Sequence, residues 1–184
     1  SEADDVVREI EDLVRRDKEL VDEVVKRIKD LVRRDKKLVD EVVKEIKDLV
    51  TELEDLARKL DEEELRRVVK RVRDEIRRLA DELREHSRRV EKEIEDLRRE
   101  LEKHSEDVER EIRRLLKELR DRGIPEEMLR KLERVVEEVK RRSTEALKRL
   151  REVVKEVKET SKRANEELER VVREVKKRLD DATK

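Results

Sequence analysis

Aspartate, histidine and serine recur in this sequence at an 18-residue spacing, on three different stretches of the chain. The recurring pairs are Asp17 and Asp35, His86 and His104, Ser87 and Ser105, and Ser143 and Ser161. An Asp, a His and a Ser that meet in space are the components of a hydrolase triad, in which the imidazole takes the proton of the serine hydroxyl. The same groups can instead satisfy one another as a buried hydrogen-bond network. Which of the two applies depends on the elements that carry these residues.

All of these polar residues lie in long segments with helical hydrophobic periodicity. Apolar residues recur at spacings of three and four from Val6 to Leu60, from Leu65 to Leu119 and from Met128 to Leu179. Such a spacing predicts amphipathic helices with a broad buried stripe, at about residues 2–60, 62–121 and 125–182.

The residues between the three segments indicate tight connections. Asp61 can cap the second helix, and Ser1 can do the same for the first. Gly123 can end the second helix in the left-handed conformation, and Pro125 suits the first turn of the third. Two short connections predict an all-α, antiparallel up-down-up three-helix bundle, with residues 1–184 as a single domain.

The helices repeat internally with a period of 18 residues. Residues 10–27 and 28–45 differ at only three positions. Eighteen residues make five turns at about 3.6 residues per turn, so the apolar stripe returns to the same face and the helices should be nearly straight. Antiparallel pairing about the two turns brings position 17 beside 105 and 143, and position 35 beside 87 and 161.

This pairing predicts two buried polar layers and one dry layer. The first polar layer comprises Asp17, His104, Ser105, Ser143 and Thr144. The second comprises Asp35, His86, Ser87, Ser161, Thr160 and Asn165. The dry layer comprises Leu53, Val68, Val69 and Leu179. In each polar layer we expect the carboxylate to accept from the imidazole, whose other nitrogen meets a hydroxyl.

A satisfied network explains these layers better than catalysis or metal binding. A triad also needs an oxyanion hole and a substrate cleft, and the sequence has no glycine-rich turn to build them. Each layer offers one His and one Asp, whereas a stable zinc site usually has three or four ligands. We therefore expect no enzyme activity, no catalytic residue, no cofactor and no bound metal. A small Ser-His-Asp hydrolase stays open as an alternative.

Composition restricts the partners of the chain. The 54 Lys and Arg residues nearly balance the 55 Asp and Glu residues, which argues against a nucleic-acid surface. Apolar runs are at most two residues long, so neither a membrane span nor a signal-peptide core is expected. Without cysteine there is no disulfide framework. We expect a soluble monomer without partners or a targeting signal, cytoplasmic in an expression host.

In these features the chain resembles de novo designed, parametrically built helical bundles that carry buried hydrogen-bond networks. The resemblance covers all 184 residues and rests on the 18-residue units, the DRGIPEE loop, the polar layers and the absence of aromatic residues and glutamine. It implies a scaffold without natural biochemical function, in which the networks provide packing specificity. The chain departs from commoner members in its straight repeat and in its use of Asp with His. A coiled-coil spacer or a partner-binding helical module stays open as an alternative.

The polar layers also predict a mechanism that fixes helix register. An apolar core with this period could slip by one repeat at little packing cost, whereas the polar layers would then bury a carboxylate against valine or leucine. An unpaired buried charge costs several kcal/mol.

If Asp17 and Asp35 are ionised and hydrogen-bonded, their pKa values should lie below the unfolded reference of about 3.9. For His86 and His104 the direction of the pKa shift stays open, because an adjacent carboxylate raises the pKa of an imidazole whereas burial lowers it.

Overall fold

A computed structural model of the protein describes residues 2–182, with side chains to residue 177. Three helices follow one another: α1 (Glu2–Ala57), α2 (Glu62–Asp121) and α3 (Glu126–Ala182). The described residues form no strand. The predicted all-α class with three long helices is confirmed.

The first connection is an N-capped turn, as the sequence predicts. The α1 helix ends at Ala57, a few residues before the predicted boundary. The amide of Glu64 donates to Asp61 Oδ1 at 2.8 Å, so the Asp61 side chain satisfies one of the free donors at the start of α2. The predicted cap at Ser1 lies outside the described residues.

The second connection contains the only glycine and the only proline of the chain. Gly123 has a φ of 73°, the left-handed conformation that a residue with a Cβ adopts at a cost. The amide of Gly123 donates to the Arg120 carbonyl at 3.1 Å, and that of Ile124 donates to Leu119 at 3.4 Å, which satisfies carbonyls at the end of α2. Pro125 follows immediately, and α3 begins one residue later.

Internal contacts divide the chain into two compact units, each of which contains parts of all three helices. The first unit comprises Ser1–Asp30 and Lys92–Val154. Within it the start of α1 lies beside the end of α2, since Arg122 Nη1 is 3.2 Å from Glu2 Oε2. The two helices are therefore antiparallel here. Its apolar core includes Val6, Ile10, Val108, Ile112, Leu115, Leu119 and Val136.

The second unit comprises Leu31–Glu91 and Lys155–Lys184 and contains the turn from α1 to α2. An ion pair joins α1 to α3, with Lys47 Nζ at 3.0 Å from Glu167 Oε1. Its apolar core includes Val39, Ile46, Leu53, Leu65, Val69, Ile76, Leu83 and Leu168. The organisation of residues 1–184 as one domain stays a prediction.

The predicted dry layer belongs to the second unit. Leu53 and Val69 are buried in its core, and Val68 is half-buried against them. The predicted fourth member, Leu179, lies outside the residues whose side chains are described.

Candidate functional site

The first polar layer lies in the first unit and centres on Asp17. The Asp17 side chain is 0% exposed, and Ser143 on α3 is also buried. His104 on α2 is half-buried and presents Nε2 at 3.7 Å from Asp17 Oδ1. This distance exceeds the 2.7–3.2 Å of an N–H···O hydrogen bond. Among the described residues, no donor forms a hydrogen bond to either Asp17 oxygen.

The hydroxyls of this layer pair with each other. Ser105 Oγ on α2 donates to Ser143 Oγ on α3 at 2.8 Å. This bond joins two helices directly and satisfies one hydroxyl with another. It leaves the Asp17 and His104 side chains as a separate pair.

The second polar layer repeats this arrangement in the second unit. Asp35 is 2% exposed, and the half-buried His86 presents Nε2 at 3.5 Å from Asp35 Oδ1. Ser161 Oγ on α3 donates to the buried Ser87 Oγ on α2 at 2.8 Å. The hydroxyl pair and the carboxylate–imidazole pair are again separate.

In both layers the imidazole lies beside the aspartate, as predicted, but the predicted hydrogen bond from the imidazole to a hydroxyl is wrong. His86 and Ser87 are consecutive on α2, and consecutive helical side chains point about 100° apart. The imidazole consequently turns toward Asp35 on α1, while the hydroxyl turns toward Ser161 on α3. The consecutive residues His86 and Ser87 therefore contact two different helices, α1 and α3.

The three peripheral residues predicted for the layers have different positions. Thr144 is exposed, and its hydroxyl donates to the Lys140 carbonyl of its own helix at 2.8 Å, so its side chain does not contribute to the buried layer. It follows Ser143 by one residue and so faces about 100° away from the core. Thr160 is half-buried and lines a groove together with Asp35. Asn165 is half-buried, and its buried Oδ1 has no hydrogen-bond partner among the described residues.

A residue that the sequence did not single out also belongs to the first layer. Arg142 directly precedes Ser143, its side chain is 25% exposed and its Nη1 is buried. Its charge lowers the pKa of Asp17. The 18-residue repeat could have identified it, because the equivalent position in the second layer is Thr160. The residue type alone does not distinguish Arg142, because charged residues are abundant throughout the chain.

The pKa values of both buried aspartates shift upward. Burial raises the pKa of Asp17, and electrostatic interactions with His104 and Arg142 lower it by less. Burial likewise raises the pKa of Asp35. The interaction with His86 lowers this pKa, and the negative charge of Glu91 raises it further. The sequence predicts a downward shift only for carboxylates that are ionised and accept hydrogen bonds. That condition is not met at either oxygen of Asp17 or at Asp35 Oδ1, which have no hydrogen-bond partner among the described residues.

The geometry of the layers does not assemble a nucleophile with a base. A catalytic serine needs its hydroxyl within hydrogen-bond reach of the base. Here the paired serines bond to each other, and each imidazole faces a carboxylate. Within the described part of the chain, no group of three or more His, Asp, Glu or Cys residues could hold a metal ion. Nor does any helix between residues 2 and 182 contain a stretch long and apolar enough to cross a membrane.

Comparison with known proteins shows the fold. No protein family matches the chain, and no curated protein matches it either. A solved structure described as a computationally designed three helix bundle matches with a TM-score of 0.79 at 18% sequence identity, over 99% of this chain and 92% of that chain. At this identity the similarity establishes a shared architecture, which is the three-helix bundle.

Proposed function

We propose that this protein is a designed structural scaffold without a natural biochemical function, and that its buried Asp/His/Ser layers specify which helical repeats pack together. The observation that carries this proposal is the pair of Ser–Ser hydrogen bonds between α2 and α3, one in each unit. They occur 18 residues apart on both helices, beside an aspartate that is buried at the matching repeat of α1.

The layers discriminate against packing that is displaced by one repeat. A displacement between α1 and α2 would move Asp35 from His86 to the slot of Val69. A carboxyl group in an apolar slot without a partner costs several kcal/mol. Short connections keep the helices of one chain adjacent, so the displaced pairing that the layers oppose arises mainly between chains. This reasoning supports a monomer.

The same geometry favours a scaffold over the alternatives. Hydroxyls that bond to each other do not supply an activated nucleophile, so we expect no hydrolase activity. A partner-binding module would expose a contiguous apolar patch of several hundred Å². Among the described residues, the exposed large apolar side chains are Leu56 and Met128. We accordingly propose that the chain acts as a monomer without a nucleic-acid, membrane or protein partner.

The proposal is tested by a variant in which both layers are made apolar. Its changes are Asp17→Leu, Asp35→Leu, His86→Leu, His104→Leu, Ser87→Ala, Ser105→Ala, Ser143→Ala and Ser161→Ala. We expect its helicity to be retained, because the apolar stripe persists, while light scattering detects oligomers and NMR signals broaden. A matched control with Leu53→Val and Val69→Leu keeps the polar layers and should stay a sharp-lined monomer. A monodisperse apolar variant with equally sharp NMR signals would refute the proposal.

A further inference from the structure

A groove lies between α1 and α3 in the second unit, beside Asp35. Its volume is about 630 Å³. Its apolar lining is formed by Val32, Val39, Val43, Val157 and Ala164. This lining offers a surface for a short hydrocarbon segment.

Asp35 supplies a buried acceptor on the wall of this groove. The side chain is 2% exposed, and its Oδ1 has no hydrogen-bond partner among the described residues. The nearest imidazole nitrogen, His86 Nε2, is 3.5 Å away. Thr160 on α3 lines the same groove. A buried carboxylate oxygen without a donor favours any group that brings one.

The equivalent place in the first unit contains a guanidinium that belongs to the chain. A groove of about 640 Å³ is lined there by Val21, Val25 and Ala146, which are the repeat equivalents of Val39, Val43 and Ala164. Arg142 also lines it, although its buried Nη1 and both oxygens of Asp17 have no hydrogen-bond partner among the described residues. Thr160 is the repeat equivalent of Arg142. The repeat thus places an arginine side chain on one groove and a much shorter threonine on the other.

We propose that the groove beside Asp35 is a binding site for small organic cations that carry a guanidinium or amidinium head and a short apolar tail. The head would donate to the Asp35 carboxylate, and the tail would lie on Val39 and Val43. Guanidinium groups present several donors in a plane that matches a carboxylate. Alkyl stems readily cover apolar surface while the charged head stays at a polar group. The ligand would therefore occupy the space that the shorter Thr160 side chain leaves in the groove beside Asp35.

The rim of the groove does not itself select a charge. Four basic and four acidic side chains surround it, and one pair of them, Lys47 and Glu167, is an ion pair of 3.0 Å. Their charges balance at the entrance, so a preference for cations must come from Asp35. Binding of a cation is thereby distinguishable from general attraction to an acidic surface.

The direct test is a titration with propylguanidinium, which is the arginine side chain without its backbone, followed by methyl NMR. Signals of Val39 and Thr160 should shift saturably, whereas those of Val21 in the first unit should not. Propylurea, which is neutral and similar in shape, should bind at least about tenfold more weakly because it lacks the charge-assisted hydrogen bond.

Three variants make the test specific. Asp35→Asn keeps the shape of the side chain and should weaken binding at least about tenfold. Thr160→Arg should do the same, because the longer side chain would lie in the groove, as that of Arg142 lies along the first one. Arg142→Thr should create a second site, detected as new shifts at Val21. Circular dichroism of each variant verifies that the helices are retained.

The outcomes are separable. Loss of binding in Asp35→Asn and Thr160→Arg, with gain at Val21 in Arg142→Thr, supports the proposal. Absence of saturable shifts in the parent protein overturns it. Equal binding of propylurea, or undiminished binding in Asp35→Asn, overturns the role of the carboxylate and with it the proposed ligand class. None of these results depends on whether the polar layers specify register.

Discussion

Asp17 and Asp35 are each buried beside an imidazole that lies too far away for a normal hydrogen bond. Burial therefore dominates the pKa of both carboxyl groups and raises it. The neutral acid is easier to bury than the carboxylate, so these side chains contribute most to stability when they are protonated. Folding therefore favours the protonated form of the Asp17 and Asp35 carboxyl groups.

Stability should depend on pH with the sign that this upward shift requires. The contribution of the neutral Asp35 carboxyl is present below the unfolded value of about 3.9 and is lost as the pH rises through the higher folded value. Urea unfolding should therefore show the free energy of unfolding of the parent falling relative to Asp35→Asn over this window. In contrast, exposed Asp48→Asn should give a curve parallel to that of the parent. A rise of the parent relative to Asp35→Asn would contradict the shift.

The hydroxyl pair should behave as a unit that is independent of the carboxylate. Ser161→Ala leaves the buried Ser87 hydroxyl without its partner and should cost about 1–3 kcal/mol. Adding Ser87→Ala should recover part of this loss, because no unpaired hydroxyl is then buried. A cycle that pairs Ser161→Ala with Asp35→Asn should be additive within about 0.5 kcal/mol. If these denaturant melts show stronger coupling of Ser161 to Asp35 than to Ser87, the hydroxyl pair is not independent, and a continuous hydrogen-bond network from carboxylate to hydroxyl would be supported.

Gly123 determines how α2 ends and α3 begins. Its φ of 73° suits glycine, and a Cβ placed there meets nothing within 4 Å, so substitution acts through backbone strain alone. Gly123→Ala should cost about 1–2 kcal/mol, and Gly123→Asn should cost less, because asparagine tolerates the left-handed conformation. Denaturant melts of the three proteins verify this order. Equal stability of the alanine and glycine proteins would show that the turn does not require this conformation.

Across the whole molecule, sequence periodicity predicted the helices and the burial of Asp17 and Asp35, because both depend on which positions face the core. The pairing of atoms within the layers was not predictable in this way. It depends on side-chain direction, which separates Ser87 from His86 on the same helix. The role of Arg142 was missed because a long side chain can reach a layer from a position at its edge.

The central claim, that the polar layers select one register, is tested most directly by a distance between two spin labels in the second unit. The chain contains no cysteine, so Lys37→Cys on α1 and Arg89→Cys on α2 can be labelled specifically at exposed positions. In the protein with intact layers, double electron–electron resonance should give one narrow distribution of distances between the labels at positions 37 and 89. With both layers apolar, we expect a second population of distances, which comes from pairs of chains whose helices pack with a displacement of one repeat, about 27 Å. A single, unchanged distance in the apolar variant would contradict the claim.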